Sequence, residues 1–304
     1  MDRFEDMRCF LEVVDRRSVT RAAEALSIAP SAVSRRIKEL EARLGAQLLI
    51  RTTRSMSLTE AGQAFYARAR AILAEVEEAE SEVADAGRAL HGPLRIAAPL
   101  SFGVRHLAPI LAAFAAEHPD LELDIDLSDR QVDLVAEGFD LAVRIGALRD
   151  SSMIARKLCD VRMIVCAAPA FVERRGAPRA PGDMRGWPCL AYVGSERFDI
   201  WRYRDPAGAS GSVQMTVAMR SNNGDVLGEA AAAGLGVTLQ PSFIVHEALA
   251  EGRLRCLLSD HAWAESAIHV IYPETRHLSA KSRAFIDFLR ARLGPRPYWE
   301  EGLG

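Results

Sequence analysis

Apolar side chains recur at a helical period through the first sixty residues, with two interruptions. Phe4, Met7, Phe10, Leu11 and Val14 make one stripe and predict a helix that closes a small core. Val19, Ala22, Ala23 and Leu26 fall on one face of a second helix, and Val33, Ile37, Leu40 and Leu44 on one face of a third. Only Ser27-Ile28-Ala29 separates the two. Pro30 suits the first turn of the third helix, where its missing N–H would be unpaired anyway. Small Ala22 and Ala23 let the helices cross closely. The pattern predicts a helix-turn-helix over residues 19–38. Its second helix carries Pro30, Ser31, Ser34, Arg35, Arg36 and Lys38 off the apolar stripe, the hydroxyls and cations that a major-groove reader needs. The competing reading is an ordinary helical hairpin with a solvated basic face.

Two short strands follow, at 47–51 and 56–58, joined by the polar tip Thr52-Thr53-Arg54-Ser55. Such a hairpin is a wing, and Arg51, Thr53 and Arg54 can follow a phosphate backbone or enter a minor groove. Thr59 is a sound N-cap for a long proline-free helix from Glu60 to about residue 87. Along it Phe65, Ala69, Ile72, Val76, Ala79, Val83, Ala86 and Leu90 alternate in steps of four and three, a heptad seam. A lone seam of that kind needs a partner, and a second copy of the chain supplies it, with Phe65, Ile72, Val76 and Val83 as candidate dimer contacts. The alternative is a long helix packed on its own domain.

Gly92-Pro93 ends this helix and the texture changes. Strands are predicted at 94–98, 121–127, 139–144, 162–168, 236–239 and 267–271, with helices across 104–114, 225–233 and 281–293. Strands alternating with helices argue for an α/β domain of largely parallel strands. Residues after Gly294 read as a loose tail.

Charge sharpens the picture. The chain of 304 residues has net charge −3, yet residues 27–54 carry six basic side chains against Glu39 and Glu41, the footprint of phosphate contact. Hydrophobic residues at 49% and charged ones at 26% form a soluble balance, and neither a membrane-length apolar run nor a signal-peptide layout is present, so a cytoplasmic location is expected. Five scattered cysteines, Cys9, Cys159, Cys166, Cys189 and Cys256, form no CxxC or Cys/His cluster, so no metal is expected. Cys159 and Cys166 read as free thiols near a buried strand, with a redox pair as the alternative.

The chain resembles the LysR-type transcriptional regulators. The likeness rests on Phe10-Leu11-Glu12-Val13-Val14, Ser18-Val19-Thr20-Arg21-Ala22-Ala23, Ala32-Val33-Ser34-Arg35-Arg36-Ile37, Leu40-Glu41 with Leu44-Gly45, and Leu48-Leu49-Ile50-Arg51 through Leu58-Thr59-Glu60-Ala61-Gly62. One departure is clear: many members carry Thr-Gln where this chain has Ala29-Pro30, so base reading must rest on Ser31, Ser34, Arg35 and Arg36. The resemblance implies an α/β architecture of three parts: a winged helix-turn-helix over 1–59, a dimerising linker helix over 60–91, and an effector domain over 92–294 with a tail at 295–304. The effector domain is implied to have the type 2 periplasmic-binding-protein fold, with subdomain I at about 92–162 and 267–294 and subdomain II at about 163–266. Leu94 to Pro99, Phe139 to Gly146, and Gly234-Leu235-Gly236-Val237 with Pro241 carry this thinner part of the likeness. Some members sense peroxide through two cysteines.

Enzymatic motifs fail on inspection. Gly234-Leu235-Gly236 lacks the third glycine of a dinucleotide fingerprint, and Ser212 spoils Gly208-Ala209-Ser210-Gly211 as a nucleophile elbow. A ligand site has more support. Leu100, Ser101 and Phe102 open a helix after the first strand, and Asn222 and Asn223 open another; helix starts of this kind favour anions. In the family these junctions face each other across a cleft. Ser101 and Asn223 read equally as helix caps or as ligand contacts, and Arg144 as a partner of Asp140 or of a ligand. The expectation is a non-enzymatic, sequence-specific DNA-binding regulator responding to a small-molecule effector, with an anion as the candidate. Its partners would be a double-stranded operator, its own copy in a homodimer extending to a homotetramer, and RNA polymerase as a candidate. The rivals are a solute-binding module whose helix-turn-helix serves protein contacts, and a non-specific architectural DNA binder.

Overall fold

The computed structural model describes residues 2–51, 56–84, 89–130, 132–146, 153–193, 198–274 and 278–301, without the side chains of Arg51 and of residues 74, 75 and 77–84. The chain divides into two compact units, one of residues 1–89 with 132–139, the other of 90–131 with 140–304.

In the first unit, α1 (Arg3–Arg16), α2 (Val19–Ala25) and α3 (Pro30–Leu44) precede the strands β1 (Leu49–Arg51) and β2 (Met56–Leu58) and the long helix α4 (Glu60–Ala84). Ser18 caps α2 by accepting from Arg21 N–H, Ser27 makes the turn with φ 54°, and Pro30 occupies the first turn of α3. Phe10, Val13, Ala22, Ala23, Val33, Ile37 and Leu40 are buried together with Leu48 and Leu49 of the antiparallel hairpin. Phe65 of α4 packs edge-on against Phe10 of α1, ring centroids 5.4 Å apart. Tyr66 adds a hydrogen bond to Asp15, so the base of α4 is fastened to α1 by a ring and a hydroxyl.

The second unit opens with β3 (Gly92–Ala98), α5 (Leu100–Phe102) and α6 (Ala108–Glu117), the two helices joined by a π-helical stretch Gly103–Leu107. A Cβ on Gly103 would lie 2.3 Å from the Leu127 side chain, so a larger residue there would have to displace that leucine of the next strand. That strand is β4 (Leu121–Leu127), followed by α7 (Leu134–Glu137), which groups with the first unit, then β5 (Leu141–Ile145) and β6 (Met153–Val161). Next come β7 (Met163–Ala167), α8 (Pro169–Arg175), β8 (Pro188–Tyr192), β9 (Ile200–Arg204), β10 (Ser210–Gln214), β11 (Thr216–Ser221) and α9 (Gly224–Ala232). The chain closes with β12 (Val237–Pro241), α10 (Ser242–Ala250), β13 (Arg255–Leu257), β14 (Ala262–Trp263), β15 (Ser266–Pro273) and α11 (Ala280–Leu293).

These strands build two five-stranded sheets, β4-β3-β5-β15-β6 and β11-β8-β12-β7-β13, with β10-β9-β14 as a small third. Both large sheets are mixed. β3 runs parallel to β4 and β5, and β8 parallel to β11 and β12, while β15, β7 and β13 run antiparallel to their neighbours. The chain leaves the first sheet at Val161 and enters the second at Met163, so Arg162 alone is the crossing, and it returns at Ser266. The expected loose tail is a correction to the sequence reading. Gly294 turns the chain with φ 63°, and a short 3-10 turn, Tyr298–Glu300, buries Trp299 to 1% exposure. No helix among the described residues is long and apolar enough to cross a membrane.

Candidate functional site

Two surfaces collect the candidate residues. On α3, Val33, Ile37 and Leu40 face inward, and Pro30, Ser31, Arg35 and Lys38 are exposed with Ser34 half-buried. The Arg35 side chain is 73% exposed and lies 4.0 Å from the Glu39 carboxylate, a pairing too loose in water to hold it. Arg36 is different. It turns back to α1, where its guanidinium lies 3.7 Å from Asp6 and 3.6 Å from Glu5. Asp6 is buried to 1% exposure and also accepts from Arg43 at 2.9 Å. A carboxylate so far from water needs this compensation, which makes Arg36 a fastening of α3 to α1. Thr53 and Arg54, and the Arg51 side chain, lie outside the described residues.

On α4, Phe65 belongs to the winged domain's own core, while Ile72 is 37% exposed and Val76 half-buried; the Val83 side chain lies outside the described residues. The seam therefore begins as an intradomain contact and continues as a partly open face.

The second surface is a cavity of about 330 Å³ between the two large sheets of the second unit. Ser101, at the start of α5, lines it, buried to 7% exposure, and its Oγ accepts from the Asn223 side-chain amide at 3.2 Å. Asn223 also caps α9, its Oδ1 accepting from Val226 N–H at 3.2 Å. Capping and bridging are thus two uses of one amide. Ser101 caps nothing; the Leu100 N–H is taken instead by Asp129 Oδ1 at 3.1 Å. Arg144 lines the cavity and donates from Nη1 to the Arg130 carbonyl at 3.1 Å, while Asp140 accepts from Arg95 N–H at 2.8 Å. Phe102 has no exposed surface and supports the cavity from beneath, against Phe243 and Trp299. Leu100 and Asn222 are exposed outside the lining, and Asn223 also lies outside it, meeting the cavity through its bond to Ser101.

Residues the sequence pattern did not single out complete the wall. Ser128 and Asp129 follow β4, Tyr192 ends β8 and Gln240 sits in β12. All stand at or beyond strand ends, where open α/β sheets bind ligands, and that rule was the signal available. Partial burial pushes the Tyr192 phenol up, and the Asp129 carboxylate adds to the shift, so these two groups feel each other across the cleft. Gln240 is held by donating to Thr238 Oγ1 at 2.9 Å, which in turn donates to the Leu190 carbonyl at 2.9 Å. Charge in the lining is balanced, one arginine against one aspartate.

No group of three metal-ligating side chains occurs among the described residues. Cys159 and Cys166 lie in different sheets, and Cys166 stands opposite Cys256 in the β7–β13 register. Burial pushes the Cys159 thiol up to about 11 and Cys189 to about 12, and drives Cys166 higher still, which favours the thiol over the thiolate.

Comparison with known proteins gives a consistent result. Residues 4–63 match the family model described as bacterial regulatory helix-turn-helix protein, lysR family, and residues 87–294 match the LysR substrate binding domain. The HTH-type transcriptional regulator DmlR of Escherichia coli (strain K12) is 36% identical over 286 residues, covering 94% of this chain and 92% of that protein. The solved structure of CrgA, a LysR-type transcriptional regulator from Neisseria meningitidis, is similar with a TM-score of 0.61 at 32% identity, covering 95% of this chain and 98% of that one. The full-length Vibrio cholerae virulence activator AphB gives a TM-score of 0.59 at 29% identity, covering 95% and 99%.

Proposed function

This chain belongs to the LysR-type family of DNA-binding transcriptional regulators, and on that premise we propose that α3 reads an operator while the cavity behind Ser101 receives the effector. Exposed Ser31, Arg35 and Lys38 with Ser34 present hydroxyls and cations to a major groove, and Arg51, Thr53 and Arg54 serve the wing. The observation that carries the effector reading is the hydrogen bond from Asn223 to Ser101, which brings two strand-to-helix junctions together at one polar point of a small, largely apolar cavity. Ser101 and Arg144 suit the anionic or acceptor end of a small molecule. Asp129 and Gln240 suit a donor group on the same molecule, so the favoured effector is a small carboxylate that also carries a hydroxyl or amine. The remaining face of α4, with Ile72 and Val76, pairs with a second copy; dimers associate into a tetramer, RNA polymerase is the candidate further partner, and the protein works in the cytoplasm without catalysing a reaction.

A reporter titration with lactate, succinate, glutamate and benzoate, beside an operator-binding assay, tests this assignment. Ser101→Ala should shift the response and leave operator affinity alone. A parental response from Ser101→Ala would move the ligand out of the cavity.

A further inference from the structure

Behind the cavity, the chain's last described turn lies against both halves of the domain. The Trp299 ring sits 5.9 Å from Phe102, 4.5 Å from His106 and 6.4 Å from Phe243, centroid to centroid. Phe102 and His106 belong to the helical run after β3, on the first sheet's side, whereas Phe243 begins α10 after β12 of the second sheet. Phe102 and Phe243 both line the effector cavity on their other sides. One tryptophan therefore backs two cavity walls that come from different halves.

Polar contacts fix the same segment. His106 Nε2 lies 3.0 Å from the Phe243 carbonyl, which can only accept, so Nε2 carries the proton and Nδ1 accepts from the Tyr298 hydroxyl at 2.6 Å. The Glu300 carboxylate accepts from the Ser242 hydroxyl and lies 3.5 Å from Arg162 Nε. Arg162, the crossing between the two sheets, also accepts at its carbonyl from Ser242 N–H at 2.8 Å. The tail thus touches the first half, the second half and the strand crossing between them.

We propose that residues 295–301 are a positioning element of the effector cleft: a clasp that holds Phe102 and Phe243 in register and so sets how widely the cleft opens. Any opening that separates those two rings must slide one of them across Trp299 or pull Tyr298 from His106. The proposal builds on the reading of the cavity as the effector site, but its test needs no effector. The Trp299 Nε1 has no hydrogen-bond partner among the described residues, so a phenylalanine there would keep one aromatic ring at the contact and lose an unsatisfied donor together with the second ring of the indole.

The experiment uses the full chain in a Cys256→Ser background with Ser101→Cys as a reporter of cleft access, read by maleimide labelling, alongside hydrogen exchange of residues 100–107 and 241–247. Trp299→Ala and Tyr298→Phe should each raise labelling and exchange by about tenfold, the factor that one lost buried contact or hydrogen bond is worth. Trp299→Phe, which keeps one ring at the contact, should fall between Trp299→Ala and the parent. Exchange in residues 19–44 should stay unchanged. Unaltered labelling in folded Trp299→Ala and Tyr298→Phe, labelling of Trp299→Phe as fast as that of Trp299→Ala, or acceleration spread equally over the whole chain would each overturn the clasp. Faster labelling combined with a parental reporter response from Ser101→Ala would leave the clasp standing and remove the effector from this cavity; the reverse pair would do the opposite.

Discussion

The side-chain amide of Asn223 donates to the Ser101 hydroxyl across 3.2 Å, joining the start of α9 to the start of α5. Because the same amide caps α9 through its oxygen, the two roles separate by substitution. Asn223→Asp keeps an acceptor for the cap and replaces the donor with a negative charge beside Ser101. It should fold with parental stability and weaken a carboxylate effector by at least tenfold, since the new negative charge beside Ser101 repels an anion in the cavity. Asn223→Ala should also lose the cap and about 1 kcal/mol of stability. Calorimetry of folding and reporter titration, run on both variants, check the separation; equal effector responses in the two would reject it.

On α3, adjacent arginines should behave oppositely. Arg35→Ala should cost about 1–3 kcal/mol of operator discrimination with little change in melting temperature. Arg36→Ala leaves Asp6 with Arg43 alone and should destabilise the winged domain by about 2 kcal/mol. Operator titration at fixed salt beside thermal unfolding distinguishes them. Equal loss of selectivity from both, with stability kept, would return Arg36 to the groove.

Val76 lies half-buried on the open part of α4. If that face is a dimer seam, Val76→Glu must bury a charge or part the helices. Sedimentation should then show monomer, and operator affinity should fall through lost bivalency. An intact dimer would place the association elsewhere.

Burial lowers His106 to about 4 from its ordinary 6.5, opposed in part by its bond to the Phe243 carbonyl. Between those values the unfolded chain binds the proton and the folded chain does not. The stability this histidine contributes is therefore full above pH 6.5 and declines as pH falls toward 4, by about 3 kcal/mol in all. All four tryptophans, Trp187, Trp201, Trp263 and Trp299, lie in the second unit, so their fluorescence reports its unfolding. Denaturation between pH 7 and 4.5 should show a steeper loss for the parent than for His106→Gln. Parallel curves would mean that the ring is already charged in the fold.

The winged domain was legible because Val19, Ala22, Ala23, Val33, Ile37 and Leu40 keep a strict helical period and Pro30 marks a start. Much of the second unit was not. Exposed side chains run through the middle of β6, and one face of β9 and β10 is solvated, so neither shows the plain apolar alternation that betrays a strand. The family resemblance identified the junctions at Ser101 and Asn223, but Asp129, Tyr192 and Gln240 belong to the cavity only through strand pairing. Arg36 looked like its neighbour Arg35 because its partner Asp6 is thirty residues away on another helix. Trp299 looked like part of a loose end because a single 3-10 turn after Pro295 and Pro297 has no period to read.

The carboxylate of Asp6 also sets a rule for retargeting. Exchanging Ser31, Ser34, Arg35 and Lys38 alters what α3 offers to DNA and leaves its fastening to α1 intact. Transplanting a whole foreign helix that lacks arginines at positions 36 and 43 would strand a buried negative charge, and the chimera would fail as a fold before its specificity could be measured. Grafts should therefore carry both arginines, or exchange Asp6 along with them.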